Sequence, residues 1–123
     1  MANAYLYFNA GLYALFALCC TLVPTRTAQG VGYESLSRSG VSEYLVVYGG
    51  LELGLGLFFF YCAHVGAQRI GLVFALLLYA PIVVYRLATV ARQWPVSGTT
   101  LLVGTLEVLL LLAAVALWSR QRV

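Results

Sequence analysis

The stretch TTLLVGTLEVLLLLAAVALW, residues 99–118, decides the class of fold. It runs for 20 residues with Glu107 as its only charge. At about 1.5 Å of rise per residue, a helix of that length covers roughly 30 Å, the thickness of a bilayer's hydrocarbon core. Hydrocarbon offers no partner to a backbone N–H or C=O, so a run of this kind reads as a helix that satisfies its own hydrogen bonds. Working outward, three further apolar runs occupy residues 4–23, 41–63 and 70–91. The expected fold is therefore all-α: a single integral membrane domain over residues 1–123, built as an up-and-down bundle of four transmembrane helices. These runs and their links leave no room in the 123 residues for a separate soluble catalytic domain.

Composition agrees. The chain is 63% hydrophobic and 9% charged, with a mean hydropathy of +0.93, whereas ordinary soluble domains carry roughly 25% charged residues. Its net charge of +3 comes from seven arginines against four glutamates, with no Lys or Asp. Most of the arginines stand at the ends of apolar runs, a pattern suited to lipid headgroups rather than to nucleic acid. Cys19, Cys20 and Cys62 form no C-x-x-C pair and no metal-ligand spacing, so they read as apolar packing residues. With His64 as the one histidine and Met1 as the one methionine, a single chain cannot supply a bis-His or His/Met pair for a haem, whereas a dimer sharing His64 could. No metal and no cofactor are expected, and His64 reads as a solvated loop residue at a helix border.

Local signals punctuate the runs. Pro24 stops the first, which is too long and lacks the basic start of a signal peptide. Ser42 is placed to cap the second, with Glu43 in its first turn. Pro81 is expected to kink the third, Trp94, Pro95 and Gly98 mark the last link, and residues 119–123 form a basic tail. The positive-inside count ties, with Arg69, Arg120 and Arg122 at the terminal end against Arg26, Arg38 and Arg92 at the other. The basic tail tips the reading toward cytoplasmic termini. Tyr5, Tyr61 and Trp118 mark one membrane border, and Tyr44 and Trp94 the other.

Three ionisable residues fall deep inside the runs: Glu52, Arg86 and Glu107. A charge there costs about 2.5 to 3.5 kcal/mol, so each needs a partner or a wet cavity. The side chain of Arg86 leans back toward the helix N-terminus, toward the level of both glutamates, which makes a Glu52–Arg86–Glu107 cluster available. At 100° per residue Glu52 shares a stripe with Tyr48, Gly49 and Gly56, Arg86 with Tyr79, and Glu107 with Thr100, Gly104, Ala114 and Trp118. On the first helix Asn9, Tyr13, Phe16 and Cys20 align. These small or polar stripes are assigned to the bundle interior, with Tyr48, Asn9 and Tyr79 supporting the cluster and Leu, Val and Phe facing lipid. Gly50 and Gly54 form a second stripe, a helix contact inside the bundle or a dimer interface. Residues 48–53 also align with residues 103–108, sharing Gly, Leu and Glu, a faint repeat that would make the protein two helical hairpins.

Two carboxylates and one guanidinium leave one negative charge, and the lower-cost state carries one proton between the two carboxyls. The cluster then has two principal readings: an ordering device that fixes helix positions, or a cavity that binds a proton with a polar or lipid-like molecule. An Arg86 that snorkels to the nearer interface is a third arrangement.

At Tyr48-Gly49-Gly50-Leu51-Glu52-Leu53-Gly54-Leu55-Gly56 the chain resembles a small four-helix bacterial membrane family classified only as a domain of unknown function. That family is similar in layout to the DoxX-like group. The resemblance runs from about Tyr7 to Trp118 and takes in Glu43, Arg86 and Glu107. It implies a bacterial cytoplasmic membrane. Because some DoxX-like proteins are accessory subunits of quinone-linked membrane oxidoreductases, it also implies a membrane enzyme partner, with no catalytic residue carried over. The chain lacks the cysteine pair of the four-helix membrane proteins that reduce quinones. The leading expectation is a non-enzymatic protein that binds or transports a proton with a small amphipathic or lipid-like molecule. The alternative is an accessory subunit or homodimer docking through Gly50 and Gly54. An intramembrane isomerase or hydratase with Glu52 and Glu107 as acid and base is a third class, for which the sequence names no substrate.

Overall fold

A computed structural model describes residues 1–121; Arg122 and Val123, the end of the basic tail, lie outside the described residues. The described chain is all-helical, with α1 at Ala2–Leu22, α2 at Pro24–Gly30, α3 at Arg38–His64, α4 at Gln68–Arg92 and α5 at Gly98–Gln121. Helices α1, α3, α4 and α5 are each long and apolar enough to cross a membrane. Their ends lie within three residues of the four apolar runs.

One short helix is added to the expected four, and one cap is corrected. The polar segment after α1 contains a short helix, α2, which Pro24 opens at the position where its missing N–H costs nothing. Buried Ala28 anchors α2 beneath Cys20 and Tyr44. Helix α3 begins ahead of Ser42, because the Ser37 hydroxyl accepts the Gly40 N–H at 3.1 Å and caps the chain one turn earlier. Inside α3, Leu45–Leu51 is π-helical, so a uniform 100° per residue does not carry across Tyr48 to Glu52. Helix α4 runs unbroken through Pro81.

Neighbouring long helices alternate in direction. Tyr7 meets Phe60, Arg69 lies 5.4 Å over the Trp118 ring, and an Arg120 N–H reaches the Met1 sulfur, which puts Met1 and the last turn of α5 at one end. Packing is closest within two pairs, α1 with α3 and α4 with α5. The pairs meet over the terminal half, where Tyr5, Leu6, Phe59, Cys62, Leu72, Ala75, Leu110 and Ala114 form one buried cluster. In the opposite half the buried cluster of Cys20, Ala28 and Tyr44 belongs to α1, α2 and α3 alone. The α2 segment links α1 to α3, residues 93–97 link α4 to α5, and residues 65–67, turning at Gly66 (φ +75°), join one pair to the other.

Small residues let the backbones approach. A Cβ on Gly56 would lie 3.1 Å from the Ala10 oxygen and 3.2 Å from the Ala14 nitrogen on α1. One on Gly49 would lie 3.0 Å from Thr21 Oγ1, and one on Gly71 would overlap the Leu6 methyl groups. Gly50 and Gly54 depart from the expected packing role inside the bundle. Among the described residues, nothing beyond the helix's own backbone and the chain neighbours lies within 4 Å of where a side chain on either would start. Two aromatic border markers also turn inward: Tyr5 donates to the Leu110 carbonyl at 2.9 Å, and Tyr44 to Thr27 Oγ1 at 3.0 Å. A buried hydroxyl needs a partner, and each finds one across a helix contact. Phe59, expected on the lipid side, is fully buried against Tyr13 and Phe74.

Candidate functional site

In the half where the pairs do not close on each other, two adjoining cavities of about 150 and 310 Å³ lie between them. Both are walled by Phe16, Glu52, Ile82, Val103 and Glu107, so they are two lobes of one space that meet at the level of the glutamates. The inner lobe extends past Tyr13 and Tyr79 to Leu110, and the outer lobe past Tyr48 and Arg86 to Thr99 and Thr100.

Arg86 reaches this space along a groove supplied by glycine. A Cβ on Gly104 would stand 3.2 Å from Arg86 Cγ and 3.4 Å from Cδ, so the bare backbone lets the arginine stem lie close without shifting by a few tenths of an ångström. Laid across α5, the guanidinium donates from Nε to Glu107 Oε2 at 2.8 Å and from Nη2 to Glu107 Oε1 at 2.7 Å. Two parallel charge-assisted bonds to one carboxylate form the strongest pairing a guanidinium makes. The side chains are 32% and 15% exposed, so the pair is partly shielded from solvent.

Glu52 departs from the expected three-member cluster. It faces both lobes, yet no hydrogen bond or ion pair joins it to Arg86 among the described residues. The reason is geometric: Arg86 and Glu107 sit on helices that pack directly, whereas Glu52 belongs to the other pair, across the cavity. The nearer carboxylate takes the Nε/Nη2 edge of the guanidinium.

Of the three supporting residues, two form a strut, and one of these, Tyr79, also walls the inner lobe. Asn9, fully buried, donates from Nδ2 to the Tyr5 carbonyl at 2.8 Å and accepts the Tyr79 hydroxyl on Oδ1. That bond ties α1 to α4 just below the inner lobe. Tyr48 lines the outer lobe and stacks on Tyr44 at 4.5 Å between ring centroids. Tyr13 and Phe16 also wall the cavity, although their place on the α1 stripe with Asn9 had marked them only as interior. Cys20 and Cys62 are buried packing residues and Cys19 is exposed, all three as free thiols. His64 is exposed at the end of α3, stacked on Phe60.

No family model, curated protein or solved structure matches this chain. The chemistry of the site therefore rests on its own residues. A cavity with largely apolar walls holds one neutralised Arg–Glu pair and one carboxyl without a partner. Such a carboxyl can take up a proton or bind a donor or cation brought by a guest.

Proposed function

We propose that the protein is a multi-pass protein of a bacterial cytoplasmic membrane, with cytoplasmic termini, whose central cavity binds or transports a small amphipathic or lipid-like molecule together with a proton. Glu52 exchanges the proton, Glu107 shares the cavity with it, and Arg86 holds the charge balance. One observation carries this reading: Glu52 presents an unpartnered carboxyl to a cavity between two apolar helix pairs. An ionisable side chain at such a place costs stability that a purely structural residue would not repay. Native mass spectrometry of protein released gently from membranes tests it. Wild type is expected to carry a specific small-molecule or lipid adduct whose affinity changes with pH, and Glu52→Gln to lose both the adduct and its pH response. A wild-type spectrum without an adduct, or an adduct unchanged in Glu52→Gln, sinks the reading.

A second reading draws on the open surface at Gly50 and Gly54, where no other described side chain comes within 4 Å of an added Cβ. There the protein would serve as an accessory subunit, docking a second copy or a membrane enzyme such as a quinone-linked oxidoreductase. Gly54→Leu has space for its side chain and is expected to leave the fold intact while abolishing assembly in crosslinking on native membranes. Unchanged crosslinks would refute the docking surface.

A further inference from the structure

Three side chains of formal charge face the cavity: Glu52 from α3, Arg86 from α4 and Glu107 from α5, while α1 presents Tyr13 and Phe16. The Arg86 fork is occupied by Glu107 through both oxygens, which cancels one charge of each sign. What remains is the single negative charge of Glu52. An anionic guest would meet a guanidinium whose charge Glu107 already balances and a carboxylate that repels it, and a dication would leave one charge uncompensated in a site of low dielectric. A neutral guest would leave the Glu52 charge as it was.

The walls point the same way. Tyr13, Phe16 and Tyr48 place aromatic rings around the space that Glu52 faces, and ring faces attract cations most strongly where water is scarce. The same combination recurs one step outward. A pocket of about 300 Å³ beside the start of α3 is lined by Tyr33, Tyr44 and Tyr48 together with Glu43. Tyr48 walls both that pocket and the outer lobe, and it sits in the π-helical segment. An acid and a set of rings thus stand on either side of Tyr48.

We infer that the guest is a monovalent organic cation with an apolar or aromatic body, a substituted ammonium held by the Glu52 carboxylate among the rings of Tyr13, Phe16 and Tyr48. The inference rests on the cavity-binding reading above, narrows it to a ligand class, and makes the proton leave Glu52 as the guest arrives rather than bind beside it. Proton and cation then compete for one carboxyl, so the cation binds more tightly as pH rises. The other titratable groups around that carboxyl are Tyr13 on α1, Tyr48 on α3, Tyr79 and Arg86 on α4 and Glu107 on α5.

Calorimetric titration of the full chain in maltoside micelles decides it, with three small probes: phenyltrimethylammonium, its uncharged isostere tert-butylbenzene, and benzenesulfonate. The cation is expected to bind at one site, tighter at higher pH, and neither other probe to match it. Glu52→Gln should weaken cation binding by about thirtyfold or more and abolish the pH response. Glu52→Asp, which keeps the charge, should retain binding and so separates lost charge from lost fold. Equal binding of either other probe, or a cation affinity unchanged in Glu52→Gln, overturns the ligand class. If the Glu52-dependent adduct of the mass spectra persists in that event, the cavity-binding reading stands with a different guest; if it too is missing, both fall. Competition by dihexanoyl phosphatidylcholine but not by dihexanoyl phosphatidylglycerol assigns the cation to a lipid headgroup, and absence of competition assigns it to a free molecule.

Discussion

Replacing Arg86 by Met is expected to destabilise the protein by about 3 kcal/mol, the low end for breaking a buried ion pair because Arg86 is about one-third exposed. Methionine fills the groove over Gly104 with a stem of similar shape. Most of the loss therefore comes from the orphaned Glu107 carboxylate rather than from packing. One consequence separates this account from a general loss of fit. The double variant Arg86→Met, Glu107→Leu should recover most of the loss at neutral pH, since replacing both partners of a shielded pair by apolar groups is often close to neutral. Unfolding in mixed detergent micelles, followed by circular dichroism, measures both variants. A double variant no more stable than the single one would show that Arg86 contributes through its stem and not its charge.

The second large effect is expected at Gly56. A first side-chain carbon there already meets the Ala10 oxygen, the Ala14 nitrogen and Tyr13 Cβ at 3.1 to 3.3 Å. Two of these are backbone atoms of α1, which cannot rotate out of the way. Gly56→Leu must therefore push α1 and α3 apart, at a cost of about 3 kcal/mol for overpacking a close helix contact. It should also weaken ligand binding, because Tyr13 and Phe16 move away from Glu52 together with α1. Gly54→Leu, two residues earlier with open space around it, is the matched control and should melt with wild type. Thermal melts that place Gly56→Leu beside that control would refute the close contact.

The long helices were legible because each is an uninterrupted apolar run, and the cavity charges because a lone ionisable residue in such a run is conspicuous. Glu52, Arg86 and Glu107 do line one space. What periodicity did not reveal was the pairing among them. Helical phase gives a direction around an axis, but not which of two facing carboxyls lies on the helix that packs against the arginine. Gly104 held part of the answer, since a glycine one turn before Glu107 opens the groove that Arg86 follows. The π-helical turn had no comparable signature, and it shifts Tyr48 relative to Glu52. Tyr5 and Tyr44 show the limit of reading aromatic residues as border markers, because a hydroxyl within reach of a carbonyl or a threonine is satisfied just as well facing inward.

The order in which the chain visits its helices has a mechanical consequence. The first pair is closed on itself through α2 and the second through residues 93–97, and only residues 65–67, at the terminal end, pass from one pair to the other. At the far end no strand of backbone bridges the gap. The molecule is therefore strung like a pair of tongs, with its fulcrum at Gly66 and its grip at the mouth of the cavity. The arms can part there by giving up side-chain contacts alone, without stretching a peptide link or uncoiling a turn of helix.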